Sequence, residues 1–399
     1  MATAMLSVVG SLLRDTPIVV TGLGVFSAAG TTVGDLWTSA LKARSPAQWR
    51  APFAVCTAPE YRAAARADRV VQLALAAARQ AWDDARLSTT PLPPCRLGVI
   101  AGTSRGPVGK WTESVRERVL PTHAANCTIA SLSGALSVHF KTHGPCFTVS
   151  ATCASSANAI ALGAEQILLG HADAVLAGGA DASLDPTILA QLQAAGVLGS
   201  HLDPAQTCRP FAKDRNGTVL GEAGAFLVLE SAVSAQRRGA KMHARLAGWS
   251  VAGEGHQRAG ISETAHGLRQ VITDALACSG FVPEQIGYVN AHGTGTRLND
   301  AQEAKALRHI FPRGVPCSST KPVTGHCMGA SAALETVISI AALQHQQLPP
   351  TANCLPLDPD CALDIIHTAP RPTRTRVALS NSSGFWGHNA ALVFTKDEP

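Results

Sequence analysis

A single cysteine lies where a β-prone segment meets a helix-prone run of small residues. Residues 146–149 favour a strand, and alanine, serine and asparagine dominate residues 154–160. Cys153 is therefore predicted at a strand-to-helix elbow, with the helix N-terminus directed at its sulfur. The partial positive charge of that terminus favours a thiolate, and its unbonded amides can bind an oxyanion. The alternative is a small buried packing residue, which is the commoner case for a lone cysteine.

A histidine follows a second apolar segment. His292 comes after residues 288–291 and precedes a loop of glycines and threonines. A histidine at the end of a strand beside such a loop is expected to face a cleft. Asp300 and Glu303 have the spacing of a capping box at the start of the next helix, so a structural role explains that pair. The loop is not a phosphate cradle, because no Lys-Ser/Thr pair follows it.

A lysine and a second histidine lie close together in the segment 318–326. His326 precedes a helical run at residues 328–343. An imidazole at the start of a helix is disfavoured from protonating, so it can donate a hydrogen bond while neutral. Lys321 is near enough in sequence to set the local potential. Either residue alone would be unremarkable.

Glycines flank two aromatic residues near the C-terminus. Gly384, Phe385 and Trp386 lie between apolar runs around Ala378 and Ala391, which predict a hairpin. A glycine-rich turn of this kind can present backbone amides to a ligand. The alternative is a plain hairpin turn with one packed ring.

Strands and helices alternate along the chain and must position these residues. The pattern predicts strands at 18–22, 96–102 and 226–230, and a long helix at 69–87. This alternation indicates an α/β protein whose sheets are covered on both faces. A mild boundary falls near residues 239–248, and the two halves have similar makeup without a repeat of fixed period.

Composition excludes several classes of protein. The chain has 399 residues, of which 46% are apolar and 15% charged, so a large folded body is expected and not a disordered chain. The net charge is +5, and the basic residues are scattered along the chain, which argues against a nucleic-acid partner. Eleven cysteines without a CxxC pair indicate thiols in a reducing compartment, neither a disulfide framework nor a zinc site. The apolar stretch 5–13 is a poor signal peptide and too short to span a membrane, so a cytoplasmic location is expected.

Taken together, the four segments resemble the β-ketoacyl-[acyl-carrier-protein] synthases, the elongating condensing enzymes of the thiolase superfamily. The resemblance covers roughly residues 17–396, and the motifs occur in the family's order, at residues 152–155, 292–303, 319–326 and 381–389. It implies a five-layered α/β/α/β/α fold built from two pseudo-duplicated halves. The implied division is an N-terminal extension at 1–16, a half with the nucleophilic cysteine at 17–245, and a half with the histidines, lysine and gate loop at 246–399.

The resemblance implies a role for each candidate residue. Cys153 would hold the acyl group as a thioester, and its amide would form an oxyanion hole with that of Phe385, beside Gly384 and Trp386 in the gate loop. His292 and His326 would hydrogen-bond the carbonyl of a malonyl thioester. Lys321 would organise the histidines, and Glu303 would act behind them. No metal and no organic cofactor is implied, because the acyl and malonyl groups arrive on the phosphopantetheine of a carrier protein.

An acyl carrier protein is accordingly the implied partner. Carrier proteins are acidic, and Arg66 and Arg69 match a basic helix start that binds them in relatives, with Arg62 as a further candidate. A solvated helix face explains these arginines equally well. The family implies a homodimer, and a heterodimer with a related subunit stays open, with this chain as its catalytic or its chain-length-setting member.

The C-terminal loop departs from the family's usual pattern. Ser383 stands where a phenylalanine is usual, and Trp386 stands where a glycine is usual. A bulkier, less mobile gate suggests an unusual acyl chain from a specialised polyketide-type or modified-lipid pathway. The stretch 102–121, near the acyl pocket and dimer interface in the family, also looks short.

Three related or rival classes fit the residues less well. Degradative thiolases need a second catalytic cysteine near the C-terminus, and initiating synthases have asparagine at the place of His326. A noncatalytic chain-length subunit typically lacks the nucleophile. A cysteine hydrolase would leave Lys321 and the second histidine unexplained.

Overall fold

The computed structural model describes residues 2–44, 53–54, 67–117, 119–255 and 262–396. The strands are β1 (Ile18–Ser27), β2 (Phe53–Ala54), β3 (Leu97–Gly102), β4 (Cys146–Val149), β5 (Ala174–Asp181), β6 (Leu220–Gly221), β7 (Ala223–Ser231), β8 (Ala244–Gly253), β9 (Tyr288–Asn290), β10 (Pro316–Ser318), β11 (Gln347–Leu348), β12 (Asp364–Ile365), β13 (Arg371–Pro372), β14 (Val377–Ser383) and β15 (His388–Thr395). The helices are α1 (Ala2–Asp15), α2 (Val33–Lys42), α3 (Arg69–Asp84), α4 (Val108–Arg116), α5 (His123–Asn126), α6 (Ser131–Phe140), α7 (Ser155–Leu168), α8 (Pro186–Ala194), α9 (Ala232–Arg237), α10 (His266–Ser279), α11 (Arg297–Ile310), α12 (Lys321–Thr324) and α13 (Ser331–His345).

Two runs of strands have the same pairing pattern. In the described residues the main sheet contains β4-β3-β5-β7-β1 followed by β8-β15-β14-β9-β10, with β12 at its end. In each run, counted from β1 or from β8, the first two pairings are antiparallel and the next two are parallel. β1 and β8 join the runs through three residue pairs, Ile18–Val20 against Ala244–Leu246. The duplication predicted for the halves is therefore visible in the strand order.

Helices cover both outer faces of these strands and fill the space between the runs. α3 packs on β1, β5 and β7, while α10 packs on β8 and β15. α7 and α13 contact each other, and each touches strands of both runs. Every residue from Ser331 to Leu343 of α13 is buried, because this helix is enclosed on all sides. The layers thus alternate as α/β/α/β/α, and the predicted fold class is confirmed.

The predicted elements lie close to their observed bounds. β3 and α3 match the segments predicted at 96–102 and 69–87, and β14 pairs with β15 as the expected hairpin. The first strand of the second run begins at Ala244, two residues before the predicted boundary at 246. The domain boundaries themselves stay a prediction. No helix in the described part of the chain combines the length and apolarity that a bilayer crossing requires, and the cytoplasmic location stays a prediction.

Candidate active site

Cys153 lies on a tight elbow between β4 and α7. A single 3₁₀ turn, Thr152–Ala154, connects the two elements, and Thr152 adopts a left-handed conformation with φ of 50°. Such a backbone is costly for a β-branched residue and needs support from its surroundings. Ser155 supplies it, because its Oγ accepts from the amide of Ala151 at 2.9 Å and lies 2.6 Å from the carbonyl oxygen of Thr152. The predicted elbow is thereby observed, with the Cys153 side chain buried.

His326 lies opposite this elbow and is anchored by backbone contacts to the first half. Its amide donates to the carbonyl of Val219 at 2.7 Å, and its carbonyl accepts from Gly221 at 2.9 Å. The ring nitrogen Nδ1 is 3.0 Å from Ser331 Oγ, and Nε2 is 3.2 Å from Cys153 Sγ. One ring nitrogen of His326 therefore contacts the nucleophile, and the other contacts a hydroxyl that can either donate or accept a hydrogen bond.

His292 follows β9 and faces the same cavity. Its ring lies nearly perpendicular to that of His326, with centroids 5.4 Å apart and an interplanar angle of 85°. The amides of His292 and Gly293 donate to the two oxygens of Glu303 at 2.6 and 2.8 Å. Asn381 Nδ2 donates to the same carboxylate at 2.7 Å. Glu303 therefore fixes the backbone that carries His292 and does not touch the ring.

The capping box predicted for Asp300 and Glu303 is wrong. Thr296 occupies the N-cap of α11, so both carboxylates lie inside the helix. Asp300 accepts from the amides of Thr294 and Gly295 at 3.1 and 3.2 Å. The two side chains reach across to the loop instead of back to the helix start, because the loop folds over the first turns of α11. The spacing in sequence was correct for a cap, but tertiary packing supplied other donors.

Lys321 is fully buried and makes a contact with three acceptors. Its Nζ hydrogen-bonds the carboxylate of Glu335 and the carbonyl of His292, and it lies 3.2 Å from His292 Nδ1. An ammonium group has three donors and no acceptor, so all three are used. Since Lys321 donates to Nδ1, the proton of neutral His292 resides on Nε2. His292 is thus fixed as a hydrogen-bond donor.

Glu335 is a site residue that the sequence analysis missed. It is the one carboxylate in helix α13, and its side chain is 2% exposed. A buried carboxylate is almost always paired, and the buried Lys321 needs a counterion. That combination was the available signal in the sequence.

Burial controls the protonation of the catalytic groups. Burial lowers the pKa values of both His292 and His326 well below the usual range, and the charge of Lys321 lowers them further. Burial also raises the pKa of Cys153 to about 12, against the opposing effect of Lys321. Desolvation of the sulfur thus opposes the thiolate that the helix terminus favours, and the thiolate stays a prediction. Glu335 has its pKa raised to about 7 by burial, which the contact with Lys321 opposes.

Cys153, His292 and His326 also have the donor types of a metal site. One ligand atom from each lies within 4.8 Å of the others. However, the tautomer of His292 leaves a proton on Nε2, and the charge of Lys321 opposes a cation. The trio is better suited to donating hydrogen bonds to a substrate than to holding a metal. The predicted absence of a metal stays a prediction.

A cavity of about 470 Å³ contains the nucleophile and both histidines. Its apolar lining comes mainly from Leu192, Leu198, Leu220, Met328 and Phe385. The polar lining includes Asn216, Thr294, Thr296, Arg297 and Asn299. Cys153 and the histidines are buried, whereas Asn216, Arg297 and Leu298 are exposed, so the latter group marks the mouth.

The loop between β14 and β15 closes one side of this cavity. A side chain at Gly384 would place its Cβ 2.0 Å from Thr152 Oγ1 and 3.0 Å from the amide nitrogen of Cys153, so only glycine permits this approach. Thr152 Oγ1 also donates to the carbonyl of Phe385 at 3.3 Å. Trp386 is 61% exposed and lies outside the cavity lining, so its bulk projects into solvent.

Comparison with known proteins gives a consistent family. Residues 56–235 match the family model "Beta-ketoacyl synthase, N-terminal domain", and residues 243–355 match "Beta-ketoacyl synthase, C-terminal domain". The 3-oxoacyl-[acyl-carrier-protein] synthase 2 of Synechocystis is 33% identical, over 96% of this chain and 99% of the relative. The same-named protein of Coxiella burnetii is 32% identical, over 95% and 98%.

The chain belongs to the β-ketoacyl synthase family. Among solved structures, a type II polyketide synthase acyl-carrier protein in complex with its hexaketide-bound ketosynthase matches with a TM-score of 0.89 and 26% identity, over 96% of this chain and 100% of that chain. The ishigamide ketosynthase/chain length factor matches at 0.88 and 29%, with the same coverage. This β-ketoacyl synthase is thus an acyltransferase of the condensing class, as the sequence predicts.

The predicted carrier-docking arginines of this synthase are only partly described. Arg62 and Arg66 lie outside the described residues. Arg69 makes a bidentate pair with Glu222, with both nitrogen–oxygen distances at 2.6 Å. Its guanidinium therefore has a structural contact with a buried carboxylate, and its role in docking stays a prediction.

Proposed function

We propose that this synthase joins an acyl group held on Cys153 to a malonyl-acyl carrier protein by decarboxylative Claisen condensation, in fatty-acid or specialised polyketide-type biosynthesis. The observation that carries the proposal is the placement of two differently fixed histidines in one cavity. His326 Nε2 lies 3.2 Å from Cys153 Sγ, while the buried Lys321 fixes His292 as a donor. A hydrolase would use the first pair and have no need for the second arrangement.

In the first half-reaction, Cys153 takes the acyl group from its carrier. Sγ attacks the thioester carbonyl, a new carbon–sulfur bond forms, and the bond to the carrier sulfur breaks. Because burial raises the pKa of Cys153 to about 12, the thiol needs a base at the moment of attack. His326 Nε2 is in position to accept the proton, with Nδ1–H donated to Ser331, and to return it to the departing carrier thiolate.

The oxyanion of this step would be bound by the amides of Cys153 and Phe385. The close approach of Gly384 to the Cys153 amide supports this assignment, because it brings the next amide in the chain beside the same site. Fixed backbone dipoles in a buried cavity stabilise a developing charge without reorganising.

In the second half-reaction, the malonyl thioester loses carbon dioxide, and the electron pair of the broken carbon–carbon bond becomes an enolate. The Nε2–H of His292 would donate to the thioester oxygen, so no strong base is required. The enolate carbon attacks the acyl carbonyl on Cys153, a carbon–carbon bond forms, and the cysteine sulfur leaves as a thiolate, which takes up a proton from solvent through His326 Nε2. Lys321 and Glu303 act as positioning residues for His292.

The substrates are proposed to arrive on the phosphopantetheine of an acyl carrier protein, and a second chain is proposed to cover one edge. A carrier bound to its ketosynthase is present in one similar structure. The edge strand β4 exposes Phe147, and α6, which packs beside it, exposes Val138. Helix α4 exposes Trp111 and Val115. An edge strand with exposed apolar residues favours association with another chain. A homodimer is expected.

A heterodimeric ketosynthase is the second candidate, with this chain as its catalytic or chain-length-setting subunit. Two similar structures are complexes of a ketosynthase with a chain length factor. The contact between Cys153 and His326 favours the catalytic role. Native mass spectrometry separates the assemblies: an active homodimer supports the first, and activity that appears only with a related second chain supports the other.

An unusual acyl chain is proposed on the basis of the gate. Ser383 lines the cavity, and its Oγ donates to Asn389 Oδ1 at 2.7 Å across the base of the loop. A phenylalanine there would add a ring to the lining. A turnover profile identical to ordinary saturated elongation across chain lengths would contradict this proposal.

The deciding experiment for the function is intact-mass spectrometry after incubation with a panel of acyl-carrier thioesters. Wild type is expected to gain an acyl adduct that Cys153→Ala lacks, and addition of malonyl-carrier is expected to discharge it as a β-ketoacyl product with release of carbon dioxide. An adduct that water alone discharges would instead indicate a hydrolase.

A further inference from the structure

Arg297 presents a positive charge at the mouth of the catalytic cavity. It is the first residue of α11, it lines the cavity, and it is exposed. Its Nε donates to the carbonyl of Arg215 at 3.4 Å. Among the described residues, its two terminal nitrogens have no hydrogen-bond acceptor and no carboxylate within 4 Å. The outer side of the guanidinium is therefore available to a ligand.

The acidic groups near Arg297 are engaged elsewhere. Asp214 pairs with Arg209 at 3.1 Å. Asp358 pairs with Arg215, and Asp300 is fully buried while it holds the loop amides. None of them neutralises Arg297, so its charge faces the mouth.

The path from the catalytic groups to Arg297 follows one short segment. His292, Thr294, Thr296 and Arg297 all line the cavity in chain order. The five residue-to-residue steps from His292 to Arg297 span at most roughly 18 Å when fully extended, which sets an upper limit on the length of this path. A long, thin substrate with its reactive end at Cys153 can therefore extend along this segment toward Arg297.

We propose that Arg297 binds the phosphodiester of the phosphopantetheine arm while the thioester lies at Cys153. The inference rests on the proposed function, because that function requires such an arm. A phosphodiester carries one negative charge, and a guanidinium group can bind two of its oxygens through parallel N–H donors. The cationic Lys321 cannot serve, since it is buried and all its donors are used.

The test uses three nested acyl donors: a pantetheine thioester, a phosphopantetheine thioester and the acyl-carrier protein. The rate of Cys153 acylation is measured by intact mass for wild type and Arg297→Gln. Arg308→Gln is the matched control, because Arg308 is an exposed arginine on the same helix that donates to the carbonyl of Asp360 at 2.9 Å. Arg297→Lys retains the positive charge but lacks the two parallel N–H donors of a guanidinium group.

Arg297→Gln is expected to raise KM about tenfold, or ~1.4 kcal/mol, for both donors that contain phosphate. It is expected to leave the pantetheine thioester unchanged, and Arg308→Gln is expected to change nothing. Arg297→Lys should recover part of the loss. An equal rise for all three donors would show an effect on cavity shape and overturn the proposal.

Two further outcomes also overturn it. A rise in KM for the carrier protein alone would mean that Arg297 contacts the carrier protein and not its phosphopantetheine arm. Unchanged KM values for all three donors would mean that Arg297 is not part of the binding site. Failure of the proposed function is distinguishable, because wild type would then gain no adduct on Cys153 from any of the three donors.

Discussion

Two elbows, each a 3₁₀ turn that leads into a central helix, have similar local backbone and different chemistry. The first has a left-handed Thr152, with φ of 50°, a 3₁₀ turn and then α7. The second has a left-handed Met328, with φ of 47°, a 3₁₀ turn and then α13. Both turns are followed by a serine that begins the helix, Ser155 or Ser331. The duplication of the fold therefore extends to the local geometry of the active site.

The elbows differ at the residue after the left-handed position. The first carries Cys153, whose side chain lines the cavity. The second carries Gly329, where a Cβ would lie 2.4 Å from the amide nitrogen of Ser104 and 2.8 Å from Asp181 Oδ2. One elbow faces space for a substrate, and the other is packed against backbone. Duplicated geometry thus supplied two candidate positions, and packing left only one that can carry a nucleophile.

The serines differ as well. Ser155 Oγ bonds to the backbone of its own elbow, whereas Ser331 Oγ bonds to His326. The serine of the second elbow therefore holds His326, the proposed base for Cys153 in the first elbow. Substitutions at equivalent positions of the two elbows can separate these roles.

Alanine at the two equivalent positions is expected to act in opposite ways. Cys153→Ala removes the nucleophile, so acyl transfer is expected to fall by about 10⁴-fold or more with little change in Tm. Gly329→Ala places a methyl group against backbone, so it is expected to cost about 1–3 kcal/mol of stability. Intact mass and thermal unfolding measure the two quantities, and a large loss of stability in Cys153→Ala would contradict the comparison.

The two histidines are expected to affect different steps, each by about 10²–10⁴-fold. His326→Ala removes the group beside Sγ, so acylation of Cys153 slows. His292→Ala is expected to leave acylation nearly unchanged and to slow carbon dioxide release from the malonyl thioester. Single-turnover acylation and carbon dioxide release separate the steps, and equal losses in both steps for both variants would refute the division.

The buried ion pair is expected to separate stability from function. Lys321→Met leaves the buried Glu335 without its partner, at a cost of about 3–5 kcal/mol. The double variant Lys321→Met/Glu335→Leu is expected to recover most of that stability. It is not expected to recover carbon dioxide release, because His292 Nδ1 still lacks its donor. Recovery of both properties would mean that Lys321 acts only in folding.

The two serines are expected to give a smaller contrast. Ser155→Ala leaves the buried amide of Ala151 without its acceptor, so it is expected to cost about 1–3 kcal/mol of stability. Ser331→Ala loses a single hydrogen bond to His326, worth about 0.5–1.5 kcal/mol, and is expected to slow acylation several-fold. Similar stability losses and unchanged acylation in both variants would show that the serines have the same role.

The smallest expected effect is a change in the pH dependence of stability. Burial lowers the pKa of His326 below its ordinary value near 6.5. At a pH between the pKa of the folded and that of the unfolded state, the unfolded chain therefore binds more protons than the folded protein. The stability from this group is therefore complete above pH 6.5 and is lost as the pH falls. The Tm of the His326→Asn variant is expected to fall less than that of wild type between pH 7 and pH 5. Parallel curves would contradict the neutral, buried state of His326.

Local features were the part of the site that could be predicted from sequence. The elbow at Cys153, the strand end before His292 and the hairpin around Gly384 all depend on residues within a few positions of one another. Backbone preferences and side-chain alternation act over that range. The order of the motifs then indicated the family, which supplied the layers.

Long-range packing decided the remainder. The contact between Cys153 and His326 joins residues 173 positions apart, and Glu335 meets Lys321 only because α13 lies between the two sheets. The prediction of a capping box was wrong because Asp300 and Glu303 accept hydrogen bonds from loop amides that the fold brings close to them. Desolvation raises the pKa of Cys153, and it depends on everything that surrounds the sulfur. The sequence by itself determined which groups stand at which turns, and only the tertiary structure decided their partners and protonation, because both depend on burial and on neighbours distant in the chain.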